Sequence, residues 1–355
     1  MTLPRGPDAP IRLLTFTTLF PHAARPNHGI FVENRLRHLL HSGQASSIVL
    51  APVPWFPNRN RRWGEWALHA QAPLFETRHG IPVHHPRFPV IPKLGMSAAP
   101  WLVYRAMVPV VSRLLRDGHR FDAIDAHYVY PDGVAAAWLG RRFDLPVVVT
   151  ARGIDVSLIP RYTLPRRLIL GAIRQAGALI AVSAALKAAL VALGAPDDKV
   201  TVLRNGVETN LFRPPTNRDD IRAALGLTGP TLVSVGSLIP RKGHDRTIQA
   251  MAHLPEFTLL IVGEGPEDPR QLVPHLELHG IAPLRPVHRD DADAVLDADL
   301  DVAHVACLVS STSQIIVGAA LTAARAGTRP APTVASGGIN TSAEARARAR
   351  RCRRG

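Results

Sequence analysis

Two cysteines in 355 residues, Cys307 and Cys352, exclude a disulfide framework, and their spacing matches no zinc-finger pattern. Aromatic residues are sparse at 5%, and none follows Phe257. Lysine is nearly missing: four Lys stand against 38 Arg, a usage we attribute to GC-rich coding. No apolar run is clean enough to span a membrane. Ser97–Leu115 is broken by Arg105 and Arg113, and Ala178–Ala195 by Lys187. Ile11–Phe20 holds Arg12 and three Thr without a cleavage site, so it reads as a buried strand and not a targeting segment. These gaps predict a cytoplasmic protein in a reducing compartment, at most peripheral to a membrane.

What is present is core material. Hydrophobic residues make up 46% and charged residues 20%, enough for about two domains. That composition excludes a disordered chain, a coiled coil and a collagen-like repeat. The net charge is +14, and residues 318–355 carry eight Arg against Glu344 alone, which is half of that excess. The rest of the chain is no more basic than a phosphate-handling protein needs.

The first 205 residues alternate strand-like and helix-like segments. Arg12–Thr18 reads as a strand. Val32, Leu36, Leu39 and Leu40 then fall on one face of a helix, opposite Glu33, Arg35 and Arg37, with Gly43 placed to end it. Ser46–Ala51 is the next strand, and an irregular region follows to about Leu94. Further strands are predicted at Ala123–His127, Val147–Thr150, Leu179–Val182 and Val200–Leu203. Ser183 caps a helix that Gly194 stops. Strands alternating with helices predict a parallel sheet covered on both faces.

Arg213–Asn217 reads as a stiff linker. A second alternation follows: strand Thr231–Val235, helix His244–His253 and strand Thr258–Val262. The expected division is 1–212 for a first doubly wound α/β domain, 213–317 for a second and incomplete one, and 318–355 for a low-complexity Arg/Ala-rich tail. Two such domains in tandem are expected to bind a ligand outside the carboxyl ends of their strands.

Four clusters sit at predicted strand ends. Gly29 precedes the first helix, where it suits either a simple turn or an anion-binding helix start. His127, Asp132, Arg152 and Asp155 follow two adjacent strands. Arg152 there suits a phosphate or a sugar hydroxyl, while Asp132 and Asp155 suit either orienting roles or helix caps. Asn205-Gly206 signals a turn. Gly236 closes a buried strand, and Arg241, Lys242 and Gly243 precede a helix, a pairing of cations and helix amides suited to a diphosphate. Gly263-Glu264-Gly265 ends the next strand at the same edge. Trp55, Trp63 and Trp66 interleave with Arg59, Arg61 and Arg62, which suits a membrane interface, a lipid-linked acceptor or a packed loop.

The order His127…Asp132-Gly133, Arg152-Gly153-x-Asp155, Asn205-Gly206-Val207-Glu208, Gly236…Arg241-Lys242-Gly243 and Gly263-Glu264-Gly265 resembles the retaining glycosyltransferases of family 4. The likeness covers about residues 11–266, and its bacterial surface and exopolysaccharide branch is the most similar. It implies an α/β, GT-B fold of two Rossmann-like, doubly wound domains. It implies a nucleotide-sugar donor, a glycan or lipid-linked acceptor and no required metal or other cofactor. On this resemblance Arg152, Asp155 and Lys242 are catalytic. Gly29, Gly236, Arg241, Lys242, Gly263, Glu264 and Gly265 bind the donor, and His127, Asp132 and Asn205 lie on the acceptor side.

Three departures qualify it. Ser237 replaces the family's usual arginine, Arg152 stands where a histidine is common, and no Glu occurs between Glu277 and Glu344. Gln314 and Thr322 fall at the two positions of the family's Glu-x7-Glu pair, and neither supplies a carboxylate. The C-terminal third is either translated out of frame or a decayed domain. The alternatives to an active transferase are thus a degenerate, weakly nucleotide-binding relative or a basic-tailed nucleic-acid binder; no recognised nucleic-acid motif supports the latter.

Overall fold

The structure, a computed structural model, describes residues 9–90 and 95–262, apart from Leu211, Gly226, Thr228, Ala252 and Pro255, and the two strands 306–310 and 314–317. The Gly263-Glu264-Gly265 cluster, Thr322 and the tail 318–355 lie outside the described residues. The chain divides into two compact units, Met1–Val207 and Glu208–Gly355.

In the first unit the elements run β1 (Ile11–Phe16), α1 (Ile30–His41), β2 (Ala45–Leu50), β3 (Val53–Pro54), α2 (Glu65–Gln71), β4 (Phe75–Arg78), β5 (Ile81–His84) and β6 (Arg87–Phe88). They continue with α3 (Gly95–Arg116), β7 (Ala123–His127), α4 (Val134–Phe143), β8 (Val147–Ala151), α5 (Ile154–Ser157), α6 (Thr163–Gln175), β9 (Ala178–Ala181), α7 (Ala184–Ala192) and β10 (Val200–Val202). Eight strands form one sheet in the order β10-β9-β8-β7-β1-β2-β5-β4, parallel except that β4 runs against β5.

Side chains alternate between the two faces of this sheet, as a pleated strand requires. Leu50 joins Leu14, Phe16 and Ile124 beneath α3, α4 and α6, while Val49 and Ala51 pack with Val32, Leu36, Ile81 and Val83 beneath α1. In α3, Val103, Met107 and Val111 are fully buried at four-residue spacing. No helix among the described residues is long and apolar enough to cross a membrane. Ser183 accepts a hydrogen bond from the Leu186 amide at 3.2 Å, and so starts α7.

The expected irregular region from Ala51 to Leu94 is in fact largely structured. A hairpin extends the sheet through β5 and β4, turning at His79 and Gly80, both with positive φ. This changes the environment of α1. Glu33, expected on the solvated face, is fully buried because the hairpin covers it, and Arg78 answers it with Nε–H donating to Oε1 at 2.6 Å.

The second unit comprises α8 (Arg218–Ala224), β11 (Thr231–Val235), α9 (His244–Met251), β12 (Thr258–Val262), β13 (Ala306–Ser310) and β14 (Gln314–Val317). Its sheet runs β11-β12-β13-β14. β11 and β12 are parallel, as the βαβ pattern predicts, while β13 and β14 are antiparallel to their neighbours. Gln314 is the first residue of β14.

Replacing Arg78 by Met leaves Glu33 buried without its partner. Denaturant unfolding should show a loss of about 3–5 kcal/mol for Arg78→Met, and a much smaller loss for Arg78→Met combined with Glu33→Gln.

Candidate functional site

The carboxyl edge of the first sheet gathers most of the sequence-predicted residues. Asp155 sits just inside α5, wholly buried. Its carboxylate accepts the amides of Val129 at 2.7 Å, Gly153 at 2.7 Å and Arg152 at 3.1 Å. Burial raises its pKa, and these amides oppose the rise. The carboxylate holds the loops after β7 and β8 in place through these amides.

With its backbone fixed, Arg152 projects its guanidinium along the edge. Nη2 donates to His127 Nδ1 at 2.8 Å and Nη1 to Asn205 Oδ1 at 2.8 Å. Its Cζ lies 4.9 Å from the centroid of the Phe31 ring of α1. His127 Nε2 in turn faces Asp125 Oδ2 at 3.1 Å. Because a guanidinium only donates, Nδ1 is the acceptor, and the Nε2–H donates to Asp125. The imidazole is therefore neutral, in keeping with a pKa that burial lowers against the opposing pull of Asp125. Burial raises the Asp125 carboxyl, but His127, Arg35 and Arg152 outweigh it and leave the pKa below the usual range. Burial, assisted by Arg35, lowers Arg152 to about 10, so it stays charged at neutral pH. Arg35 is itself anchored by donating to Thr150 Oγ1 at 3.1 Å.

Asp132 lies on the far side of β7 from Arg152. Its Oδ2 accepts from the Thr18 amide at 2.6 Å, Thr18 Oγ1 at 3.0 Å and Thr17 Oγ1 at 3.3 Å. Oδ1 is buried without a partner. Burial pushes this carboxyl up to about 7, against those three hydrogen bonds. The expected acceptor-side trio therefore separates: His127 and Asn205 meet through Arg152, while Asp132 fastens the turn after β1. Gly29 caps α1 at φ 68°, and a Cβ there would stand 2.3 Å from the Leu19 carbonyl oxygen, so backbone packing alone demands glycine.

Sequence reasoning missed Phe31, Arg35, Thr17 and Thr18. Phe31 and Arg35 stand four apart on α1, the spacing that puts two side chains on one helix face. Tyr128 was passed over as well. It takes φ 82° between the His127 and Asp155 contacts, a strained backbone for a bulky residue.

In the second unit, Gly236 follows β11 and donates its amide to the Val262 carbonyl at 2.9 Å. The Lys242 methylenes cross the space where a Cβ would be, the nearest at 3.4 Å. Arg241 and Lys242 occupy a single 3-10 turn, exposed, and neither is in a salt bridge among the described residues. Gly243 then turns through φ 71° into α9. His244, buried at the start of that helix, donates from Nε2 to the Ser237 carbonyl at 3.3 Å and accepts from Ser234 Oγ at 3.0 Å. No cluster of three or more His, Cys, Asp or Glu suited to a metal ion occurs among the described residues.

Two α/β units, the first with a near-parallel sheet and polar loops at its carboxyl edge, define the GT-B class of architecture. The sequence profile of Glycosyltransferase Family 4 matches residues 30–211, more than half of the chain, and the chain belongs to that family. TuaC of Bacillus subtilis strain 168, a protein assigned by name to teichuronic acid biosynthesis as a glycosyltransferase, is 27% identical over 268 residues, covering 72% of this chain and 66% of TuaC. A D-inositol 3-phosphate glycosyltransferase of Xylanimonas cellulosilytica is 30% identical over 213 residues, covering 54% of this chain and 50% of that protein. The chain thus matches less than two thirds of the length of either curated relative. Among solved structures, sucrose-phosphate synthase from Thermosynechococcus elongatus aligns with a TM-score of 0.54 at 16% identity, over 76% of this chain and 68% of that one. Anabaena HepE in complex with UDP aligns at 0.51 and 21% identity, over 76% and 65%.

The carboxyl of Asp132 supplies a stability test. Its pKa is about 7 in the fold and near the ordinary value when unfolded, so between about pH 4 and 7 the unfolded state releases this proton first and stability falls as pH rises. Asp132→Asn should therefore gain on the wild type across that window, by about 2–4 kcal/mol at pH 8 relative to pH 4, in paired urea titrations. Gly29→Ala should lose about 2–4 kcal/mol in the same assay, from combined left-handed strain and overpacking.

Proposed function

We propose that this chain transfers a sugar from a nucleotide-sugar donor to a glycan or lipid-linked acceptor, with retention, in surface polysaccharide biosynthesis. The observation that carries the reading is that the family match at residues 30–211 contains the whole Asp125–His127–Arg152–Asn205 network. The teichuronic acid assignment of TuaC and the UDP bound by HepE support the acceptor class and the nucleotide donor.

In this reading the bond between the anomeric carbon and the diphosphate oxygen breaks, and the acceptor hydroxyl oxygen bonds to that carbon while its proton passes to the departing diphosphate oxygen. The departing diphosphate gains negative charge. Lys242 and Arg241, unpaired at the start of α9, stabilise that charge, and Gly236 gives the Lys242 stem its path. Arg152, already oriented by His127 and Asn205 and still charged, meets the reacting sugar or the acceptor hydroxyls. Asp155 and Asp132 position loops. Gly29 keeps the first helix close to the β1 loop, and no step requires a metal ion.

A second reading has its own observation. Without a Glu between Glu277 and Glu344, the donor's sugar and ribose hydroxyls lack the carboxylates the family uses, and a noncatalytic relative with weak nucleotide binding results.

The deciding assay is nucleotide release from a panel of nucleotide sugars supplied with lipid-linked glycan acceptors, with NMR of the product's anomeric configuration. Transfer with retention is expected, with kcat/KM reduced about 100-fold or more in Lys242→Ala and in Arg152→Ala. Weak nucleotide binding in calorimetry with no product under any condition would establish the noncatalytic reading instead.

A further inference from the structure

The outer faces of α3 and α4 flank a wide, open recess of about 530 Å³, lined by Trp101, Tyr104, Trp138, Arg141 and Arg142. Its size falls within the range of small-ligand sites, about 300–1,000 Å³. None of its residues belongs to the network around Arg152. Arg141 and Arg142 lie in the last turn of α4, the end that leads back toward the start of β8 and away from the carboxyl edge.

Core packing accounts for only two of these side chains: Tyr104 and Trp138 are partly buried against the core of the first unit, while Trp101, Arg141 and Arg142 are exposed. Trp101 is 55% exposed, on the side of α3 opposite its buried stripe, and the Arg105 guanidinium lies 5.7 Å from its ring. Tyr104 and Trp138 meet edge to face at 5.8 Å, which fixes the second indole as a wall of the recess. Arg141 and Arg142 are exposed, and neither they nor Arg105 enters a salt bridge among the described residues. Neither α3 nor α4 contains an Asp or Glu, so their charges are all arginine.

The occupant must use both chemistries. A bare phosphate would gain from the guanidiniums but leave two indoles uncovered. An alkyl chain would cover the indoles but gain nothing from Arg141 and Arg142. A sugar ring bearing a carboxylate or phosphate satisfies both, its C–H face on an indole and its anion on a planar guanidinium fork. We propose that the α3–α4 recess binds an anionic saccharide, with the sugar stacked on the exposed Trp101 and the acidic group on Arg141 and Arg142. The site is separate from the edge at which transfer is proposed, and it stands whether or not the chain proves to be a catalyst.

The test titrates the full chain with an oligogalacturonate and with an uncharged maltooligosaccharide of equal length, read by tryptophan fluorescence and calorimetry. The oligogalacturonate should bind and the uncharged oligomer should bind at least tenfold more weakly. Trp101→Ala and the double variant Arg141→Gln/Arg142→Gln should each weaken the acidic oligomer at least tenfold. The control Arg113→Gln/Arg116→Gln removes equal charge from α3 outside the recess and should bind as the wild type does. All of these side chains except Trp101 are exposed arginines, and circular dichroism melts confirm that each variant is folded. Equal losses in the two arginine pairs, or no loss in Trp101→Ala, would overturn the proposal in favour of general attraction to a basic chain. Retention on anionic phospholipid vesicles that Trp101→Ala abolishes and the oligogalacturonate does not compete would overturn it in favour of a lipid surface.

Discussion

The carboxylate of Asp155 is the clamp on which the carboxyl edge of the first sheet depends. β7 and β8 end side by side, and beyond their last ladder bonds the chain must satisfy its amides by other means. Asp155 takes three of them, one from the loop after β7 and two from the loop after β8. Each such amide left unpaired would cost about 1–3 kcal/mol. Because the clamp fixes the Arg152 backbone, the guanidinium needs no further search to reach His127 and Asn205, residues 25 and 53 positions away in the chain. Preorganisation of the edge is thus a backbone effect first and a side-chain effect second.

The charges above that clamp are arranged so that none is buried alone. A neutral imidazole separates the Asp125 carboxylate from the Arg152 guanidinium, donating to one and accepting from the other. Arg152 spends two of its nitrogens on this frame and rests its face on Phe31, while Nε stays without a partner. The second unit follows the opposite rule. Its cations, Arg241 and Lys242, stand exposed on a short turn and enter no salt bridge among the described residues. One edge is organised by internal pairing, the other by leaving charge available.

Strands such as Val147–Ala151 and Thr231–Val235 were legible because each is a short apolar run bounded by turn residues. The region between β2 and α3 was not, since β3 and β6 have two residues each and carry no period. The hairpin β4–β5 did leave a signal in His79-Gly80, which reads as a two-residue turn between alternating segments. Missing it hid the burial of Glu33, because a helix face is solvated only if nothing later in the chain covers it. At the site, His127, Arg152 and Asn205 were each visible as motif residues. Their union was not, because hydrogen bonds between sequence-distant loops have no local pattern. For Asp132 and Asp155 the sequence left orienting and capping roles both open, because it places an acid near a strand end but does not show which way its oxygens face.

Arginine count says little here, and arginine partnership says a great deal. Arg12 and Arg78 answer Asp122 and the buried Glu33, so they are structural whatever the total charge. Arg152 and Arg105 lie over aromatic rings, where a weakly hydrated guanidinium keeps its charge and covers apolar surface. The cations on elements with no acid of their own, α3, α4 and the turn Pro240–Lys242, enter no salt bridge among the described residues, though Arg105 and Arg142 each lie over a ring. GC-rich coding accounts for why these residues are mostly Arg and not Lys. It does not account for where the carboxylates sit, and that placement pairs Arg12 and Arg78 while leaving the arginines of α3 and α4 outside any salt bridge among the described residues.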